Sequence, residues 1–326
     1  MPAPSGRLLL ARLTAVAAVL ALSGCAASQS DSGDDGKGEP PLGKVRELTE
    51  TAGLVFPLDA YERSATEIRQ LDAAQNVLVT KCMKRYGFDY AAPAPAATAK
   101  SQPNAKIFGL VDAGDAARYG YAEPPRSGGT PQKRPASQLG ATGEQVLTGP
   151  DGKKGDGSAR GGKVPMSLAD SRAKKSGFVV NGKDVPVGGC SREAFLDLYA
   201  PKADAVDVMY VFNLRAEAES RALSDSRVKK ATKAWSGCMA KAGYTTADPA
   251  SVTRDLGIAD DARNTPKAIA AAKADVRCKA DVNYSGIRFA VQSAYQKRLL
   301  DKNGETLELL RKQSQDRLRR AAELTA

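Results

Sequence analysis

Four cysteines, Cys82, Cys190, Cys238 and Cys278, limit what the body of this chain can fold into. None stands in a Cys-x-x-Cys pair, so the spacing supports neither a dithiol redox motif nor a zinc site. An even set in an exported chain reads as two disulfides, and four cysteines allow three pairings. Export is read from the N-terminus. Arg7 precedes an apolar run from Leu8 to Leu22, interrupted by Arg12 and Thr14, and small residues follow. Charge, apolar core and small residues in that order make a secretory signal. A membrane span needs about 20 apolar residues, and Arg12 leaves only about half of that uninterrupted. No Arg-Arg pair points to the twin-arginine route.

The run closes on Leu22-Ser23-Gly24-Cys25, which resembles the lipobox of bacterial lipoproteins. The resemblance implies that residues 1–24 are a signal peptide and that Cys25 is lipidated and becomes the first mature residue. The body is then held by lipid at the extracytoplasmic face of the cell membrane. Two or more acyl chains on one cysteine give stable attachment, where one chain is marginal. The abundance of alanine, arginine and glycine resembles that of high-GC actinobacterial proteins.

The 326 residues carry a net charge of +11, and removing the signal takes away Arg7 and Arg12. Such a balance favours anionic partners, namely phospholipid headgroups, wall polymers or acidic envelope proteins, although it also serves solubility. Nucleic acid is the common partner of basic chains, but export argues against it. There is no histidine. Ser-His-Asp and Cys-His catalysis are therefore excluded, as are His-containing zinc sites. No metal or cofactor is expected.

Residues 25–43 are small, polar and acidic with Gly and Pro, and read as a flexible tether. A helical domain over 44–326 follows, with order expected from about Val45. Between Ser64 and Tyr86, Ile68, Leu71, Leu78 and Cys82 fall at helical spacing and Gly87 supplies a stop. Residues 91–177 have neither helical nor strand period and read as a long, basic, low-complexity insertion, disordered or loosely held. Phe178 to Pro186 alternates around Asn181-Gly182, a hairpin signal with Pro186 at its end. Beyond Ser191 the text is helical: Arg192–Ala200, then Asp204–Leu223 with Val208, Met209, Val211, Phe212 and Leu214 as a central core helix. Ser224 opens a helix to Ala242 that carries Val228, Ala231, Trp235 and Cys238 on one face. Thr265-Pro266 caps a helix through about Val282, and Ile287 to Glu323 is long and charged with a kink at Gly304.

Two phrases repeat. Cys82-Met83-Lys84-Arg85-Tyr86-Gly87-Phe88 matches Cys238-Met239-Ala240-Lys241-Ala242-Gly243-Tyr244, and Arg118–Glu123 weakly matches Asp255–Asp260. Read as two related halves, each a helix ending in Cys-Met followed by a loop and a second cysteine, they pair Cys82 with Cys190 and Cys238 with Cys278. Loop entropy alone assigns about 5 and about 4 kcal/mol to these closures, as upper bounds. The fold class expected is a mainly α, disulfide-stapled helical bundle of two related halves with one short hairpin. The repeated phrases, with Val185-Pro186-Val187-Gly188-Gly189-Cys190, resemble a group of uncharacterised actinobacterial cell-surface lipoproteins, a resemblance that implies location and helical architecture and no activity.

Carboxylates are the acid–base groups left: Asp112/Asp115, Asp255 with Asp260-Asp261, and Asp275/Asp281. Met83 and Met239 read as core filler beside the disulfides, and Trp235 as a core residue rather than a ligand platform. Solute-binding lipoproteins are built of βαβ lobes, and strands are nearly absent here. The expectation is a non-catalytic binding or accessory lipoprotein whose partner is an envelope protein or an anionic wall polymer. A small-ligand-binding or carbohydrate-active protein with an unrecognised site is the alternative.

Overall fold

The computed structural model describes residues 38–92, 104, 106–124, 139–150 and 164–326. Residues from Glu39 onward form one compact unit. It is built of α-helices with a single two-stranded ribbon among the described residues.

Helix α1 (Ala65–Arg85) starts because Ser64 and Glu67 cap it reciprocally: the Glu67 amide donates to Ser64 Oγ at 3.2 Å, and the Ser64 amide to Glu67 at 2.7 Å. Its inward stripe is Leu71, Ala74, Val79, Cys82 and Met83, whereas Ile68, expected inside, is exposed. Helix α7 (Ser226–Lys241) buries Val228, Ala231, Trp235 and Met239. The two helices end alike. In α1 the Gly87 and Phe88 amides donate back to the Lys84 and Met83 carbonyls; in α7 the Gly243 and Tyr244 amides donate to Ala240 and Met239. Both glycines sit at left-handed φ, +84° and +87°, which makes each end a Schellman motif. Met83 and Met239 are both fully buried beneath it.

The disulfides join Cys82 to Cys190 and Cys238 to Cys278, each with Cα atoms 5.6 Å apart. The halves differ in where the second cysteine lies. Cys190 opens α5 (Gly189–Tyr199), while Cys278 is near the end of α9 (Pro266–Asp281), whose start is set by Thr265 and Pro266. The first disulfide lies in a cluster with Val79, Met83, Tyr86, Val146 and Val185. The second lies with Trp235, Met239 and Ala274, and with Val252 at the start of α8 (Val252–Asp255).

The stretch expected to be a disordered or loosely held insertion is corrected where it is described. It holds α2 (Ala113–Tyr119), α3 (Gly140–Thr148) and α4 (Leu168–Ala173), capped by Asp112 and Ser167 at the first and last. Each is short and buries one or two side chains, Ala116, Val146 or Leu168, too few to produce a period. The segment before α2 also contributes Phe108 and Val111 to a cluster with Leu54 and Phe56. Although α2 belongs in sequence to the first half, it packs on α9 of the second. Residues 93–103, 125–138 and 151–163 lie outside the described residues.

The hairpin is β1 (Val179–Val180) and β2 (Lys183–Asp184), with Val179 opposite Asp184 and Val180 opposite Lys183. Asn181 and Gly182 both take positive φ, as a type I′ turn requires. Helix α6 (Tyr210–Ser224) starts six residues later than expected. The Asp207 side chain accepts from the Met209 amide at 2.9 Å, an Asx turn that holds 207–209 out of helix. It is not apolar all round. Val211, Leu214, Ala218 and Ala222 face α10 (Tyr284–Lys302), while Met209 and Phe212 are 46% and 60% exposed. Asp225, not Ser224, caps α7. The final segment is broken into α10 and α11 (Gly304–Thr325) at Asn303, whose amide side chain donates to the Leu299 carbonyl at 2.7 Å and accepts from the Tyr210 hydroxyl at 2.8 Å.

The expected tether is corrected at its end. Glu39 accepts from the Ser226 amide at 2.5 Å and hydroxyl at 2.7 Å, and the Pro40 carbonyl accepts from Arg227 at 2.9 Å. A carboxylate at the start of a helix meets free N–H groups and the positive end of the dipole, so 39–40 is held on the α6–α7 joint. Signal residues 1–24, Cys25 and the tether before residue 38 lie outside the described residues.

Candidate functional site

Helices α7 and α9 run together around the Cys238–Cys278 disulfide, and two features meet there, one buried and one open. The buried one is polar. Asp275 and Lys279 stand one turn apart on α9 and are 1% and 2% exposed. Lys279 Nζ lies 3.1 Å from Asp275 Oδ2 and donates to the Leu110 carbonyl at 2.8 Å. Trp235 Nε1 of α7 donates to the other carboxylate oxygen at 2.9 Å, and the Tyr121 hydroxyl approaches Oδ2 at 3.5 Å. Burial pushes the Asp275 carboxyl up and the Lys279 ammonium down, each opposed by the attraction of the other. Burial, with the neighbouring Asp275 charge, also pushes the Tyr121 phenol up. The cluster ties α7, α9 and the 110–121 segment at one point. All its strong donors and acceptors are engaged with one another, which is the arrangement of a structural lock.

The open feature is a groove of about 520 Å³ on the outer side of the same disulfide. Lys233 and Lys241 of α7 and Arg277 of α9 supply three cations to its walls, Asp281 one carboxylate, and Gly237 a floor without a side chain. The three cations are exposed, and among the described residues none is paired with a carboxylate. A smaller cavity of about 230 Å³ lies between the N-terminal strand of chain and α9, lined by Leu48, Val111 and Val276 with Lys273 and Arg277 beside them.

The carboxylates singled out in the sequence are dispersed. Asp112 caps α2 by accepting from the Asp115 amide at 2.7 Å. Asp255 accepts from Ser251 at 2.7 Å and Thr246 at 2.9 Å, hydrogen bonds that hold its carboxyl below the ordinary value. Asp260 is paired with Arg263 at 2.7 Å, and Asp261 is exposed. Asp275 is buried while Asp281 is exposed on the groove, so that pair shares no environment. Trp235 is fully buried in the core. Sequence reasoning missed Lys279, Tyr121 and the three groove cations. One signal for the last was available: Ser226–Lys241 contains five Lys and Arg and no Asp or Glu. No described helix is long and apolar enough to cross a membrane. Comparison with family models, curated proteins and solved structures finds nothing that matches this chain.

Proposed function

We propose that this chain is an extracytoplasmic lipoprotein, anchored through Cys25, that works by binding an anionic component of the cell envelope rather than by catalysis. The observation that carries the binding role is the α7–α9 groove, where Lys233, Lys241 and Arg277 line one concavity without carboxylate partners among the described residues. Three cations against the single Asp281 carboxylate leave an excess of like charge, which is electrostatically unfavourable in the isolated protein and is relieved by an anionic ligand. The location is supported by the lipobox at Leu22–Cys25 and by two long-range disulfides, which persist in oxidising compartments.

Intact mass and peptide mapping of the membrane fraction test the location. The expected N-terminus is diacylglyceryl-modified Cys25, with no alkylatable thiol before reduction. A body recovered from cytosol with reduced cysteines, or a mature N-terminus at any other residue, overturns it. Binding is tested by titrating polyanions and neutral glycans: saturable, salt-sensitive binding to the former supports this reading. The smaller apolar cavity beside Val111 and Val276 favours the second reading, a small-ligand protein, which saturable binding of an uncharged ligand would support instead.

A further inference from the structure

We infer that the exposed face of α7, with the groove it forms against α9, is a second membrane contact that seats anionic phospholipid headgroups beside the anchor. The inference rests on the reading of Cys25 as lipid-bearing; its own content is which side of the folded unit meets the bilayer.

Charge is the first argument. Lys229, Lys230, Lys233 and Lys241 are exposed on α7, and Arg277 faces them from α9. Among the described residues none of these five is ion-paired, in contrast to Arg311, Arg319 and Arg320 of α11, which pair with Glu308, Asp316 and Asp197. Each cation brought to an anionic leaflet strengthens attachment about fivefold, so the five together are worth up to about three thousandfold at low salt. Place is the second. The chain enters the folded unit at Glu39, whose carboxylate is bonded to Ser226 at the start of α7. The 14 Cα–Cα steps from Cys25 to Glu39 span at most about 50 Å when extended, and α7 runs about 24 Å from that point. The lysine face therefore begins where the leash from the membrane arrives. Shape is the third. The groove is open, floored by Gly237, and holds the Asp281 carboxylate beside three cations. That combination suits a phosphate that carries neighbouring hydroxyls, as in phosphatidylglycerol: the cations take the phosphate and Asp281 accepts from a hydroxyl.

The test uses the lipidated full protein in vesicles of phosphatidylcholine with and without phosphatidylglycerol, with lysine acetylation rates mapped by mass spectrometry. On the anionic vesicles Lys229, Lys230, Lys233 and Lys241 are expected to react at least about threefold more slowly, and high salt to abolish the difference. Lys302 and Lys312 serve as references. Lys302 lies next to Asn303, which binds Tyr210 at the opposite end of α6 from the α7 start, and Lys312 next to Gln313, which binds the Asp204 carbonyl. The variant K233E/K241E should lose protection at Lys229 and Lys230 while keeping both disulfides. Equal rates on the two vesicles, or a uniform slowing that includes Lys302 and Lys312, overturns the inference. So does protection reproduced on zwitterionic vesicles by a soluble polyol-phosphate polymer, which would assign the groove to the wall. Failure of the anchor is distinct: protein without a lipidated Cys25 does not enter the vesicle assay.

Discussion

Asp275 joins α7 to α9 through a buried carboxylate. It accepts from Trp235 and Lys279 while almost wholly buried. Removing one partner of a buried pair leaves the other charged or unbonded without water, a cost of about 3–5 kcal/mol. Lys279→Met alone is therefore expected to lower the free energy of unfolding in urea by about that amount. Asp275→Leu combined with Lys279→Met should recover much of it, leaving the loss from the unpaired Trp235 N–H. Asp225 gives the pH dependence. Burial pushes its carboxyl up, but Arg227, bonded to it through Nε at 2.9 Å and Nη2 at 2.7 Å, and the Tyr295 hydroxyl outweigh this and hold it below the ordinary value. A carboxyl that is more acidic folded than unfolded stabilises fully above the unfolded value, about pH 4, and loses that contribution on further acidification. The melting temperature should thus fall as pH drops from about 4 to 2, and Asp225→Asn, already lower at pH 7 by about 1–2 kcal/mol from the weakened cap, should show a shallower fall.

Helix ends show what the residues made readable and what they hid. Ser64, Gly87, Thr265 with Pro266, and Asn181-Gly182 announce their roles through local chemistry, and the structure places a cap, a stop, a start and a turn at them. The repeat was legible for the same reason: Cys-Met, three residues, then Gly-aromatic is the spelling of a disulfide-bearing Schellman end, and both copies form it. A comparison of the two glycines tests the equivalence. Alanine at Gly243 meets nothing within 4 Å and carries only the cost of left-handed backbone, about 1–2 kcal/mol. Alanine at Gly87 meets the Asn181 side-chain nitrogen at 3.0 Å, where that amide donates to the Tyr86 carbonyl. Gly87→Ala should therefore cost measurably more in thermal denaturation than Gly243→Ala. What stayed hidden depends on tertiary partners. Phe212 is large and apolar in the sequence yet lies exposed, and Ala218 and Ala222 are among the residues that close α6 on α10. Helix α2 is seven residues long and acquires its buried face only from α9, while Lys279 looks like any surface lysine until Asp275 and Leu110 surround it.

Across the folded unit the two disulfides hold separate clusters, joined by sequence separations of 108 and 40 residues. Cys82→Ser/Cys190→Ser should lose up to about 5 kcal/mol and Cys238→Ser/Cys278→Ser up to about 4, read from equilibrium denaturation. The groove beside the second pair should be the more sensitive to its removal, because Cys238 forms part of its wall. The placement of Glu39 has a mechanical meaning as well. A pull along the leader arrives first at the α6–α7 corner, through a carboxylate and a proline carbonyl. Once those give, chain is drawn out to Cys82, where the tension passes through sulfur to Cys190 and the intervening polypeptide bears none. In a single-molecule stretching experiment residues 83–189 would add no length until reductant opens that bond.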